Sequence, residues 1–150
     1  MSSFEAAATV DDLVTRLGRL APTTPRRWGV MTPHAMLCHL ADSFRVGLGE
    51  CTASPAETLA SRTIVRFIAL HTPLPWPHGV PTRPEIDQQR GGTRPADFAR
   101  DRETVVTLMR RFAAPGTRYV RHPMFGALSG AEWLTWAYRH TDHHLRQFGL

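Results

Sequence analysis

The sequence predicts an all-α fold, and three observations lead to that class. Apolar residues recur at the spacing of an amphipathic helix in five segments of the chain. Four of these segments begin at residues that cap helices well. Strand-like alternation holds nowhere for more than a few residues, and residues 117–121 are the only candidate strand. We therefore expect one domain over residues 1–150, most simply a four-helix bundle with one additional helix and a long crossover loop.

The first two helices are predicted over residues 9–20 and from residue 32 to about residue 49. Thr9 can cap the first helix. Thr32 followed by Pro33 is a typical helix start, because proline lacks the N–H that the first helical position leaves unpaired. The positions predicted to be buried are Val10, Leu13, Leu17 and Leu20 in the first helix and Met36, Leu37, Leu40 and Phe44 in the second.

A capping box predicts where the third helix begins. Ser54-Pro55-Ala56-Glu57 has the S-x-x-E pattern in which two side chains satisfy free backbone N–H groups. Six of the twelve prolines then fall between residues 72 and 95, so we expect a long loop without regular elements there. A loop of this length in a compact domain is usually functional or mobile. The residues at helical spacing in the third helix are Ala60, Ile64, Phe67, Ile68 and His71.

The last two helices follow the loop. The fourth is expected over about residues 96–113. Ser129-Gly130-Ala131-Glu132 is another capping box, and the fifth helix is expected to run from it to about Phe148. The inward-facing positions of the fourth helix are Phe98, Val105, Met109 and Phe112.

The charge of the chain raises the question of a nucleic acid partner, since the formal net charge is +5 and the isoelectric point is about 10.5. All 18 basic residues are arginines. They are scattered along the chain and often stand beside acids, as in Asp101-Arg102-Glu103, and they do not alternate with aromatic residues on one basic surface. We therefore do not expect nucleic acid binding.

Composition argues against several other classes of protein. No stretch approaches the roughly 20 apolar residues that cross a bilayer, so no membrane partner is expected. The first residues lack the basic and apolar regions of a signal peptide, and we expect a cytoplasmic protein. Cys38 and Cys51 form no C-x-x-C pair, which argues against thiolate zinc sites and thioredoxin-like redox chemistry and favours two free thiols.

Two histidines of the last helix form a candidate metal-binding pair. His140 and His144 lie one helical turn apart, so both imidazoles can reach a single ion from one face. The same face carries Trp133, Trp136 and Ala137 and should point inward, where unpartnered imidazoles would be costly. A shared cation is one way to satisfy them. The alternative is a chance H-x-x-x-H pair on a histidine-rich helix.

A third ligand must come from another helix, and His39 in the second helix is the best candidate. It can instead be a histidine at the core edge that is bonded to a backbone carbonyl. Asp42 can orient His39, although a solvated carboxylate is equally consistent with the sequence. Trp136 and Gln147 lie on the face of the histidine pair. His143 is rotated away and is expected to line the cavity.

Four stretches of the sequence resemble the DinB-like (DinB/YfiT) superfamily, and within it a short branch of unknown function. They are WGVMTPHAMLCHL at residues 28–40, HPMFG at residues 122–126, Glu132-Trp133, and HTDHHLRQF at residues 140–148. The resemblance covers residues 28–148 and is loose over residues 72–96. It implies a four-helix bundle of up-down-down-up topology that is often a homodimer.

The resemblance also implies a divalent metal ion, commonly zinc or nickel. In that superfamily one histidine of the second helix and two of the last hold the ion, and those positions fall on His39, His140 and His144. Characterised relatives include thiol-dependent transferases and a mycothiol-dependent isomerase, while most members have no assigned reaction. A low-molecular-weight thiol is therefore the implied cosubstrate.

The leading hypothesis is a metal-dependent enzyme that acts on a small molecule, by thiol-dependent transfer or hydrolase-like chemistry. A cation with three neutral ligands stays electropositive and can hold a thiolate or lower the pKa of water. No residue is assigned as a general base, and the catalytic residues stay unassigned. The alternative is a non-catalytic metal-binding or small-ligand-binding protein, such as a stress protein, in which His143 or Asp42 closes the site as a fourth ligand.

Overall fold

The structure, a computed structural model, describes residues 7–150, and every regular element in that range is helical. Its α-helices are α1 (Ala7–Gly18), α2 (Pro33–Gly47), α3 (Arg66–His71), α4 (Phe98–Phe112) and α5 (Gly130–Gln147). The prediction of an all-helical fold is confirmed for these residues, and the candidate strand at 117–121 is irregular chain. Within residues 7–150 no helix combines the length and the apolar character needed to cross a membrane.

The predicted starts of α2 and α5 are confirmed, whereas Thr9 lies inside α1 and does not cap it. The Thr32 hydroxyl accepts a hydrogen bond from the backbone N–H of Ala35 at 3.1 Å. At α5 the Ser129 hydroxyl accepts from the backbone N–H of Glu132, and the Glu132 carboxylate accepts from that of Ser129. Such exchanges typically stabilise a helix by about 1 kcal/mol.

The third helix begins later than the sequence predicts. Residues 52–58 are not helical, and helical backbone covers residues 59–71, which we call the third helical segment. This segment passes through a π-helical turn (Ser61–Val65) before α3. Its start is capped by Thr58 and Ser61, because each backbone N–H donates to the other residue's hydroxyl.

The predicted capping box at Ser54 is wrong, because its members have other partners. The Glu57 carboxylate accepts two hydrogen bonds of 2.6 Å from the Arg121 guanidinium, so it is not available to cap a helix. The Ser54 hydroxyl accepts from Arg83 at 2.6 Å. An S-x-x-E pattern thus serves here to join distant segments of the chain.

The apolar residues of the third helical segment have the predicted helical spacing but form an exposed face. Ile64 is 62% exposed and Phe67 is 59% exposed, whereas Leu70 is buried against the core. The segment therefore covers the bundle with one edge and leaves an apolar face uncovered within residues 7–150.

α2 is the central helix of the core, since twelve of its fifteen residues are buried. It packs against α4 and α5, and α1 closes the other side of α4 and α5. α2 approaches α4 closely at Gly47, where a Cβ atom would lie only 2.7 Å from the Phe112 ring. All the positions predicted to be buried in the first two helices are buried, while Phe98 of α4 is only partly so.

The long loop predicted between residues 72 and 95 is present and contains only one short 3₁₀ turn, Pro84–Ile86. Its start is held by Arg139 of α5, whose guanidinium donates to the carbonyls of Ala69, Thr72 and Leu74. The 3₁₀ turn contacts α2. The loop thereby lies against α2 beside His39, whose ring is hydrogen-bonded to the carbonyl of Ile86.

Candidate metal centre

The structure brings His39, His140 and His144 together between α2 and α5. One ring nitrogen from each of the three lies within 4.8 Å of the others. The Nε2 atoms of His39 and His140 are 3.2 Å apart. His39 and His144 are buried and His140 is partly buried. The two helices that hold them are central to the core, which keeps the imidazoles in place.

The separation of these nitrogens suits a shared metal ion. Two imidazole nitrogens that each lie about 2.0–2.1 Å from a tetrahedral zinc ion are roughly 3.3 Å apart. The 3.2 Å between His39 and His140 is close to that edge length. These two nitrogens already have the separation that a shared ion requires.

Hydrogen bonds determine which nitrogen of His144 carries a proton. Gln147 Nε2 donates to the backbone carbonyl of Trp28 at 3.1 Å, because a carbonyl can only accept. Gln147 therefore turns its Oε1 toward His144, and His144 Nδ1–H donates to it at 3.0 Å. The neutral imidazole then has a bare lone pair on Nε2, as a metal ligand requires.

His39 is prepared in the same way by a backbone group. Its Nδ1–H donates to the carbonyl of Ile86, in the 3₁₀ turn, at 2.9 Å. The lone pair of His39 Nε2 is consequently bare and faces His140. Two of the three imidazoles are thus held in the tautomer that binds metals.

The electrostatics of the cluster also favour neutral imidazoles. Burial lowers the pKa of His39, His140 and His144, and the neighbouring histidines lower the pKa of His140 and His144 further. A neutral imidazole is the form that ligates a metal ion.

Asp42 does not contact His39, so it does not orient that ring directly, which was one of the two interpretations that the sequence left open. Its buried carboxylate accepts hydrogen bonds from Gln88 Nε2 and from the backbone N–H and hydroxyl of Thr93. Asp42 therefore anchors the loop whose Ile86 carbonyl orients His39. Asp42 thereby positions His39 indirectly, and its negative charge acts to raise the pKa of that imidazole.

A cavity of about 520 Å³ opens beside the histidines. Its wall is largely apolar and contains no carboxylate side chain among the described residues. Trp136 stacks on the His140 ring with centroids 4.8 Å apart, so it shields one side of that imidazole. His143 lines the cavity as expected and lies outside the cluster of three.

Aromatic side chains from distant segments stand at one side of the cavity. Trp28 stacks on His78 of the long loop, with ring centroids 3.9 Å apart and planes 6° from parallel. His143 packs against both rings, at 5.8 Å and 6.0 Å. The roles of Trp28 and Ile86 could not be predicted from the sequence. Ile86 acts through its backbone carbonyl alone, and Trp28 acts through its carbonyl as well as its ring.

The fold and the site define an all-helical protein with a candidate metal site built from histidines. A protein family described as "Protein of unknown function (DUF1569)" matches residues 6–149, and the chain belongs to that family. No curated protein and no solved structure matches the chain. The family description carries no function, so the chemistry of the site is the guide to one.

Proposed function

We propose that the protein binds a divalent metal ion through the Nε2 atoms of His39, His140 and His144 and is an enzyme that acts on a small molecule. The observation that carries the proposal is the convergence of these three nitrogens. Two of them, on His39 and His144, carry no proton, because the Nδ1–H of the same ring donates to Ile86 or to Gln147. Without an ion, His140 Nε2–H can donate to the lone pair of His39 Nε2 at 3.2 Å, and a bound cation would replace that hydrogen bond.

All three histidines also line the cavity, so a bound ion would be reachable by a ligand there. The ion would supply Lewis acidity, which lowers the pKa of a thiol or of water. The chain itself would exclude bulk water with its apolar wall and orient the substrate against Trp136 and His143. Burial lowers the pKa of His143, which leaves its imidazole neutral and able to accept a proton.

We propose a low-molecular-weight thiol as the cosubstrate, with zinc or nickel as the ion. The support is the resemblance to the DinB-like superfamily together with one feature of the cavity wall. Arg83 lines the cavity, and its buried Nε atom has no hydrogen-bond partner within residues 7–150. A carboxylate of a small thiol would satisfy that donor. The reaction would be thiol-dependent transfer or a hydrolysis.

We also propose a superfamily and a bundle arrangement for this chain. We place the chain in the DinB-like superfamily as one domain, with α1, α2, α4 and α5 as its four-helix bundle and the third helical segment as the additional helix. The support is the position of the histidine cluster between α2 and α5. The exposed face of Ile64 and Phe67 is where a second copy would pack in a homodimer.

A non-catalytic protein that binds a metal ion or a small ligand is the second candidate. The position of His143 favours it, because its ring packs on that of His144 with centroids 5.3 Å apart, and a fourth protein ligand would close the site of a structural ion. Turnover separates the two candidates: a carrier or sensor binds thiols or metal without releasing a product.

The test of the ion site is elemental analysis of protein purified without a histidine tag. We expect His39→Ala, His140→Ala and His144→Ala each to lower the bound metal by one equivalent. His143→Ala is the matched control, since it removes an imidazole from the same cavity but not from the cluster, and its metal content should equal that of the wild type.

Undiminished metal in His39→Ala would overturn the three-histidine site. Loss of metal from His143→Ala would instead favour the closed, four-ligand site of a structural ion. For the cosubstrate, the melting temperature of the metal-loaded protein should rise with glutathione or cysteine and not with their S-methyl derivatives.

A further inference from the structure

A second group of ligand-type side chains lies between α2 and α4, away from the histidine cavity. His34 and Cys38 are one turn apart on α2, and Asp101 is in the first part of α4. One ligand atom from each lies within 4.8 Å of the others. None of the three residues lines the cavity. We call them the His-Cys-Asp cluster.

The cluster has a closed inner end and an open outer end. Cys38 is buried, whereas the side chains of His34 and Asp101 are 23% and 20% exposed. His34 Nε2 lies 2.6 Å from Asp101 Oδ2, and Cys38 Sγ lies 3.8 Å from the same oxygen. The backbone N–H of Ala96 also donates to that oxygen, at 3.2 Å, and holds the carboxylate in place.

An ion pair between α2 and α4 accounts for only part of this arrangement. It explains the short contact of His34 with Asp101, but a thiol adds little to such a pair because S–H is a weak donor. His34 Nε2 and Cys38 Sγ both approach Asp101 Oδ2, and a nitrogen, a sulfur and a carboxylate oxygen together are a donor set that zinc accepts.

We propose that His34, Cys38 and Asp101 form a second metal site, which takes a thiophilic divalent ion such as zinc and leaves one position open to water. A sulfur at about 2.3 Å and an oxygen at about 2.0 Å from a tetrahedral zinc ion lie roughly 3.6 Å apart. The 3.8 Å between Cys38 Sγ and Asp101 Oδ2 is near that value.

One adjustment is needed for the ion to enter. His34 Nε2 and Asp101 Oδ2 must separate from 2.6 Å to roughly 3.3 Å, which the partly exposed His34 ring can provide by rotating. Binding releases the thiol proton to the solvent, so the sulfur ligates as a thiolate. The missing C-x-x-C pair argues against a thiolate-rich zinc site but leaves room for a single thiolate.

The sulfur gives this site a signature that the three-histidine site lacks. Co²⁺ bound to a thiolate absorbs in the near ultraviolet through sulfur-to-metal charge transfer, and Co²⁺ bound only to imidazoles does not. The test uses Cys51→Ser, because the chain has two cysteines and this variant leaves Cys38 as its single thiol. His140→Ala and His144→Ala are added to remove the cavity site.

We expect one equivalent of Co²⁺ to produce the thiolate band in this triple variant, and a chase with Zn²⁺ to abolish it. Adding Asp101→Asn or His34→Ala should weaken or remove the band while circular dichroism reports a folded helical protein. Absence of the band from both the triple variant and Cys51→Ser alone would overturn the second site. This result is independent of the metal content of the three-histidine site, so each proposal can fail alone.

Discussion

At the scale of single residues, Gln147 decides the state of His144. Its amide cannot flip without bringing Oε1 against the carbonyl of Trp28, so Oε1 is directed at His144 Nδ1. Gly29 allows the amide to lie this close, because a Cβ at that position would be 2.6 Å from Gln147 Nε2. The backbone φ of Gly29 is +75°, which also favours glycine. One amide thus links the chain before α2 to the face of α5 that carries His140 and His144.

We predict that Gln147→Leu lowers zinc affinity by about 10–100-fold, because the residue that orients a histidine ligand is lost. Gln147→Glu is the comparison variant: its carboxylate still accepts from His144 Nδ1–H but sets its second oxygen against the Trp28 carbonyl, so its affinity should lie between those of the wild type and Gln147→Leu. Titration calorimetry with Zn²⁺ measures both variants. Equal affinities for Gln147→Leu and the wild type would contradict the assigned role.

At the scale of elements, one carboxylate both caps α5 and joins it to the third helical segment. Glu132 accepts from Ser129 in the capping box and from two nitrogens of Arg66, at 2.6 Å and 2.8 Å. Burial alone would raise the pKa of Glu132, but the hydrogen bonds from Arg66 and Ser129 outweigh it and lower the pKa to about 2.

The lowered pKa of Glu132 leads to a prediction about acid stability. A carboxylate with a lower pKa in the folded state stabilises the fold above its unfolded pKa, near 4.5, and this stabilisation is lost as the pH falls toward 2. Glu132→Gln should therefore be less stable than the wild type at pH 7, and its free energy of unfolding should fall less steeply below pH 4.5. Urea denaturation at a series of pH values measures this.

The control for the acid-stability prediction is Glu103→Gln, since Glu103 is exposed on α4. Its stability curve should run parallel to that of the wild type. If Glu132→Gln also runs parallel to the wild type, the carboxylate does not carry the stabilisation assigned to it.

At the scale of the whole molecule, the site is assembled from parts that are far apart in the chain. The candidate ligands come from α2 and α5, and the groups that orient them come from the segment before α2 and from the long loop. Asp42 connects these parts, because it holds the loop on the buried side of α2. An ion bound by His39, His140 and His144 would join α2 to α5 directly.

We therefore expect metal to stabilise the whole fold. Free Zn²⁺ at 100 times its dissociation constant should raise the free energy of unfolding by about 2.7 kcal/mol, because the unfolded chain does not hold the cluster. Chemical denaturation with and without Zn²⁺, with a chelator to reverse the effect, tests this. His140→Ala should lose the part of the gain that the three-histidine site contributes, and His143→Ala should keep it. No gain in the wild type would contradict a site between α2 and α5.

Most of the helices and part of the candidate site could be predicted from residue types and spacing. These predictions depend on interactions within about one helical turn. They are the caps at Thr32 and Ser129, the buried faces of α1 and α2, and the close placement of His140 and His144. Such interactions have the same geometry in any fold, so residue types and spacing are sufficient to predict them.

How those parts meet depends on contacts between residues that are far apart in the chain. Glu57 does not form the predicted cap, because its carboxylate pairs with the guanidinium of Arg121, which is far away in the chain. The carbonyl of Ile86 orients His39, whereas Asp42 holds the long loop that contains Ile86. Every residue has a backbone carbonyl, so nothing in the sequence marks the one that matters. Which polar groups pair across the core depends on distances that only the folded chain sets.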